Sequence, residues 1–184
     1  MHLAGLTSLT YQGRSHYLHL TRQAIWLCVG DQVPLPKWFK EFPNVEWLVI
    51  SNQKLNKYDE KYLTEVEIKG ERLKASVPEL AAYEIANAVP GSLSFEHAAE
   101  LFQGLVNLSP RKVEVLLQSS RAVKTNRLYL FLADHYAHAW GKRLDKTNID
   151  LGAGKRQIIS GGKLDQKYQI TVPEIFVSKG ISHG

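Results

Sequence analysis

The residues best placed to do chemistry lie between Asn148 and Pro173. There a glycine-bracketed cation pair, Gly152-Ala153-Gly154-Lys155-Arg156, precedes two short β-like runs, Gln157 to Ser160 and Tyr168 to Val172, with Gly161-Gly162 between them. That pattern predicts a β-hairpin presenting cations. A nucleotide-binding phosphate loop would need a glycine five residues before the final Gly-Lys, then Ser or Thr. Those places hold Ile149 and Arg156, so the glycines are better read as loosening a turn.

Seven cations, Lys142, Arg143, Lys146, Lys155, Arg156, Lys163 and Lys167, fall within 26 residues, against Asp145, Asp150 and Asp165. Residues 111–184 carry 13 Lys/Arg and 6 Asp/Glu, a balance of +7, whereas residues 1–110 carry 10 and 12, a balance of −2. The expected partner of this end is therefore nucleic acid or an acidic protein surface. The pair at 155 and 156 is not redundant, because Lys155 is a point charge and Arg156 can make planar bidentate contacts.

Other candidates are weaker. His16 and His19, and likewise His135 and His138, are three apart, but further ligands are lacking and the expectation is no metal and no cofactor. Asp59, Glu67 and Lys69 could serve a metal-dependent nuclease, since Glu67 and Lys69 would share a strand face. The alternation Glu65-Val66-Glu67-Ile68-Lys69 is equally that of a solvated strand end, and this explains it better. With no Ser/His/Asp or Cys/His arrangement standing out, no catalytic residue is assigned. Trp38 or Trp47 could instead mark a protein-interaction module.

The elements that must position these groups are predicted as α/β (α+β): an N-terminal mixed β-sheet, about four helices, then the basic hairpin. Tyr17 to Leu20, Ala24 to Val29, Val45 to Ile50 and Leu63 to Ile68 are short, rich in aromatic and β-branched residues, and read as strands. Pro36 could open a short helical turn that Pro43 stops, with Trp38, Phe39 and Phe42 capping the sheet's core. Ser76 to Glu79 fits a capping box for a helix from Pro78 to Ala88. Ser94 and Ser109-Pro110 announce two more helices, and a fourth is expected from Thr125 to Trp140, closing at Gly141.

A chain of 184 residues with 44% hydrophobic composition can bury a substantial core. It is read as one domain over 1–184, with a soft subdivision into 1–75 and 76–184. Cys28, the one cysteine, lies in an apolar run and is read as packing. No apolar run approaches a membrane span and no secretory signal opens the chain, so a soluble, cytoplasmic protein is expected.

Several strings carry a family likeness: Gly13 to Leu18 (Gly-Arg-Ser-His-Tyr-Leu), Leu35 to Phe39 (Leu-Pro-Lys-Trp-Phe), Val77-Pro78-Glu79, Leu128 to Ala133 (Leu-Tyr-Leu-Phe-Leu-Ala), Ile149 to Arg156 and Lys167 to Pro173. Together they resemble the effector domain of AbiEi-type antitoxins. The resemblance implies a non-catalytic antitoxin and autorepressor of a bacterial type IV toxin-antitoxin, or phage-defence, system. Its functional partner would be a nucleotidyltransferase-like toxin, neutralised with or without direct contact, and a second partner would be DNA. In that family an N-terminal winged helix-turn-helix precedes the effector domain. This sequence starts where the effector domain would, so that module is expected to lie outside these 184 residues.

Overall fold

A computed structural model describes residues 1–13, 24–30, 34–56 and 58–177. The expected strand Tyr17 to Leu20 and the pair His16 and His19 lie outside the described residues. A mixed five-stranded sheet is built from β1 (His2–Leu3), β2 (Ile25–Cys28), β3 (Trp47–Ile50), β4 (Leu63–Ile68) and β5 (Glu71–Ser76), in the order β3-β2-β1-β5-β4. Alternation along β2 sorts its side chains between two cores. Trp26 and Cys28 face the helices, whereas Leu27 joins Leu3, Val66 and Ala75 on the opposite face. Phe39, from the short α2 (Lys37–Lys40), covers that second face by packing on Trp47 with ring centroids 4.4 Å apart. Trp38 and Phe42 do not cap the core as expected, being 65% and 52% exposed.

Two elements had no sequence-based expectation. A helix, α1 (Gly5–Tyr11), follows β1, and β5 forms a hairpin with β4 through Lys69 and Gly70, whose φ of 52° and 84° suit a two-residue turn. Gly5 is required where α1 meets the sheet. Its φ is +42°, and a Cβ there would stand 2.4 Å from the Trp26 ring.

Four more helices follow: α3 (Pro78–Ala88), which packs on α1 and β5, and α4 (Phe95–Gln103), α5 (Pro110–Gln118) and α6 (Val123–His135), which pack against α3. Pro78 opens α3, and Ser94 and Ser109 accept from the His97 and Lys112 amides as N-caps, as their sequence positions imply. The last helix stops five residues before the expected Trp140. The His138 amide donates to Ala133 O and the Ala137 amide to Asp134 O, with Ala137 at φ +51°. This is a Schellman closure with alanine where glycine is usual, so Gly141 was a misleading stop signal. His138 then turns inward, with Nε2 2.7 Å from Phe102 O and its ring stacked on Trp140.

The C-terminal segment adds β6 (Arg156–Gln157), β7 (Lys163–Asp165) and β8 (Ile170–Val172) in the order β6-β8-β7. The basic hairpin is present, but its antiparallel partners are β7 and β8. The first expected strand, near Gln157, pairs with β8 in parallel instead. Gly161-Gly162 is therefore not the hairpin turn. Gly162 lets the chain pass so close to β8 that a Cβ would meet Val172 O at 2.6 Å. Ile158, Tyr168, Ile170 and Val172 enter the same core cluster as the helices.

Two carboxylates hold these layers together. Glu84 on α3 is 1% exposed and accepts from the Gly5 amide at 2.7 Å, the Ser76 hydroxyl at 2.8 Å and the Asn52 side-chain amide at 2.9 Å. His2 Nε2 stands 3.2 Å from the same group. Asp134 on α6 binds the C-terminal sheet, accepting from Lys146 at 3.1 Å, Lys167 at 2.5 Å and the Tyr168 hydroxyl. Burial alone would raise the Asp134 pKa, but the hydrogen bonds from Lys167, Tyr168 and Lys146 outweigh it and hold the carboxyl below its usual 3.8.

Three outcomes are expected. Glu84→Ala leaves buried donors unpaired and should cost about 3–5 kcal/mol in urea unfolding. Ala137→Gly relieves the left-handed residue and should add roughly 0.5–1 kcal/mol in the same measurement. A carboxyl with a depressed folded pKa contributes stability above its unfolded pKa and loses it as pH falls through the folded one. Asp134→Asn should therefore flatten the loss of stability as pH falls below the usual carboxylate range, and an unchanged pH profile would remove Asp134 as its source.

Candidate nucleic-acid interface

The seven cations expected to form one basic pole divide into two groups. Lys146 and Lys167 are turned onto Asp134, and Lys163 pairs with Glu174. Their charge is used inside the molecule. Lys142 and Arg143 lie exposed on a 3-10 turn (Gly141–Arg143) and Lys155 is exposed beside β6, while Arg156 is half-buried at the start of β6. The hairpin itself thus carries less free charge than its composition implied.

Arg156 belongs instead to a cationic cleft of about 370 Å³, which it lines with Lys54, Arg121 and Lys124. Among the described residues none of these four takes part in an ion pair. Backbone pairing sets Lys54 beside Arg121. The Arg121 amide donates to Lys54 O at 2.9 Å, the Asn56 amide to Ser119 O at 3.0 Å, and Leu55 bridges Ser120. Ser120 is buried, its hydroxyl 2.9 Å from the Tyr83 hydroxyl and accepting from the Ala122 amide at 3.1 Å, so the turn into α6 is fixed from both sides.

Lys124 sits in the first turn of α6, whose N-cap, Ala122, supplies no side-chain acceptor. The positive end of the helix dipole therefore faces the cleft together with the four side chains. Thr125 donates to Asn87 Oδ1 at 2.9 Å, which leaves the Asn87 amide group as a neutral donor on the same wall. Arg127, one turn further and 4% exposed, donates to Leu151 O and Gly154 O, both at 2.6 Å, and to Gln169 O at 3.2 Å. It pins the Gly152–Gly154 loop against α6 and so places Lys155 and Arg156.

Such an arrangement can bind phosphate groups by charge and by bidentate guanidinium contact. Lys54, Arg121 and Lys124 escaped the sequence reading because two of them are separated from Arg156 by other elements and the third by more than half the chain. The one local signal was Arg121 just before, and Lys124 just inside, the start of a helix with no capping side chain.

The nuclease trio does not assemble. Asp59 is exposed and paired with Lys61 at 3.0 Å, Glu67 is exposed on β4 across from Arg72, and Lys69 has left the strand for the turn. His135 is exposed at the end of α6 and His138 lies beyond it, so these two do not share a helix face. Among the described residues one group could hold a metal ion: His2, Cys28 and Glu84, whose ligand atoms lie within 4.8 Å of one another.

Neither the curated proteins nor the solved structures contain a match to this chain. The family described as transcriptional regulator, AbiEi antitoxin, type IV toxin-antitoxin system matches residues 22–173. That span takes in β2, the helical layer with Arg121 and Lys124, and the C-terminal sheet with Arg156. The chain belongs to the AbiEi antitoxin family of type IV toxin-antitoxin transcriptional regulators.

Proposed function

We propose that this chain is the non-catalytic regulatory part of a type IV toxin-antitoxin system that serves phage defence. In this reading it restrains a nucleotidyltransferase-like toxin in the cytoplasm and meets nucleic acid through the cleft of Lys54, Arg121, Lys124 and Arg156. The exposed Lys142, Arg143 and Lys155 extend that surface. Lys146, Lys163 and Lys167, also expected at the contact, act in this reading as structural cations. The observation that carries the proposal is the convergence of four cations free of ion pairs on one cleft, in a chain of a regulatory family. No helix among the described residues is long and apolar enough to cross a membrane.

A protein contact is the second reading, and it rests on Trp38 and Phe42, which stand exposed on either side of Phe39, the residue that packs on Trp47 of the edge strand β3. It predicts binding that survives high salt, whereas the cleft predicts binding that does not.

The test is nucleic-acid binding measured over a range of salt. Replacing Arg121 and Arg156 together by Ala should weaken binding and lower the log–log salt slope by about 1 for each phosphate contact removed. Lys163→Ala, whose cation is engaged with Glu174, should leave the slope unchanged. Equal slopes in all three proteins would remove the cleft from the contact. Co-expression with the cognate toxin tests the regulatory role separately, and toxicity that is the same with and without the chain would refute it.

A further inference from the structure

His2 and Cys28 face one another across the antiparallel β1–β2 pair, and Glu84 reaches them from α3. All three are buried, at 6%, 3% and 1% exposure, and His2 and Cys28 line a cavity of about 410 Å³ together with Asn52 and Tyr58. Three features of this place are those of a ligand set. The separation of His2 Nε2 from Glu84 Oε1 is 3.2 Å, close to the edge of roughly 3.3 Å between two light-atom ligands on tetrahedral zinc. The Tyr58 hydroxyl stands 3.9 Å from the Cys28 sulfur, where it can donate to a thiolate as groups around metal thiolates do. Asn52 Oδ1 is buried without a hydrogen-bond partner among the described residues.

We propose that His2 Nε2, Cys28 Sγ and Glu84 Oε1 form a binding site for one divalent metal ion of the zinc class, with its fourth position open to the cavity. Imidazole, thiolate and carboxylate together favour zinc over the hard cations, which take oxygen ligands alone. The ion enters between the histidine and the carboxylate, replacing their hydrogen bond, while the Gly5, Ser76 and Asn52 donors to Glu84 stay in place. The thiol proton is released on binding; a neutral histidine carries its ring proton on Nδ1 in the bound state, and a protonated one releases its Nε2 proton, so that Nε2 is free to ligate. A water on the fourth position would donate to Asn52 Oδ1 and give that orphaned acceptor its partner. Without an ion, burial and the neighbouring Glu84 push the thiol up to about 11, so the cysteine is inert until a metal stabilises its thiolate.

The test of this site is spectroscopic and involves no nucleic acid. Cys28 is the only cysteine of the chain, so any sulfur-to-metal charge-transfer band must come from it. Titrating the purified full chain with Co²⁺ should give the visible bands of a tetrahedral ion and a near-ultraviolet thiolate band, both saturating at about one equivalent and both abolished by Zn²⁺. Cys28→Ser should remove the thiolate band, and His2→Ala should weaken Co²⁺ binding about tenfold or more. Thermal melts check that both variants are folded, and Zn²⁺ should raise the melting temperature of the wild-type chain but not of Cys28→Ser. The proposal fails if the wild-type chain gives no thiolate band, or if its Co²⁺ spectrum and affinity are unchanged in both variants.

Discussion

A carboxylate removed from water survives only if donors reach its lone pairs, and that constraint organises the sheet and the helices around Glu84. Its partners come from β1, from the first amide of α1, from the segment after β3 and from the end of β5. The Gly5 amide is one of the orphan donors at the start of α1, whose preceding residue Ala4 supplies no side-chain cap. Glu84 supplies it from another helix, and its negative charge suits that end of the dipole. Gly5 has to be glycine there for two reasons, its backbone angle and the Trp26 ring beneath it. The position of α1 is thus set by polar satisfaction as much as by packing.

The cations obey a similar rule with the opposite outcome. Where a carboxylate stands within reach, as Asp134 does for Lys146 and Lys167, the charge is absorbed into structure, and the Tyr168 ring lies beneath both ammonium groups. Where neighbours are carbonyls and other cations, as around Arg156, the positive field remains available to an outside anion. Net charge along a segment does not distinguish these cases. The +7 of residues 111–184 covers the region that holds Arg121, Lys124 and Arg156, but it does not tell which cations are ion-paired, because ion pairing depends on contacts made across the fold.

Much of the architecture was legible in local signals. Pro78 marked the start of α3, although the expected capping box does not form, since Val77 is the N-cap, the Ser76 hydroxyl donates to Glu84 and Glu79 accepts from the Ser109 amide. β4 follows the expected Leu63 to Ile68, since apolar alternation and the Lys69-Gly70 turn bound it. The failures also have local causes. β5 reads Glu-Arg-Leu-Lys-Ala-Ser and is exposed over its first four residues, so it shows little apolar alternation. α1 is short and built from Gly, Leu, Thr, Ser and Tyr, a composition with weak helix propensity whose stability comes from Glu84 and the sheet. The stop of α6 was misplaced because alanine occupies the left-handed position and the nearest glycine lies four residues on. Cys28 was correctly read as buried, yet its neighbours His2 and Glu84 come from β1 and α3, which no spacing rule connects.

The buried network and the cleft are also joined to each other. Asn52, which donates to Glu84, lies two residues before Lys54, and the Lys54 carbonyl in turn accepts from the Arg121 amide. On the other side, α3 carries Glu84 into the network and, less than one turn later, Asn87 into the cleft wall. A cation cluster costs electrostatic free energy when its members are held close together, so it persists only on a support that repulsion cannot deform. The fully bonded carboxylate provides such a support from beneath, and Arg127 provides it for the loop that carries Arg156. The surface cations of the cleft therefore depend on a carboxylate that is fully hydrogen-bonded inside.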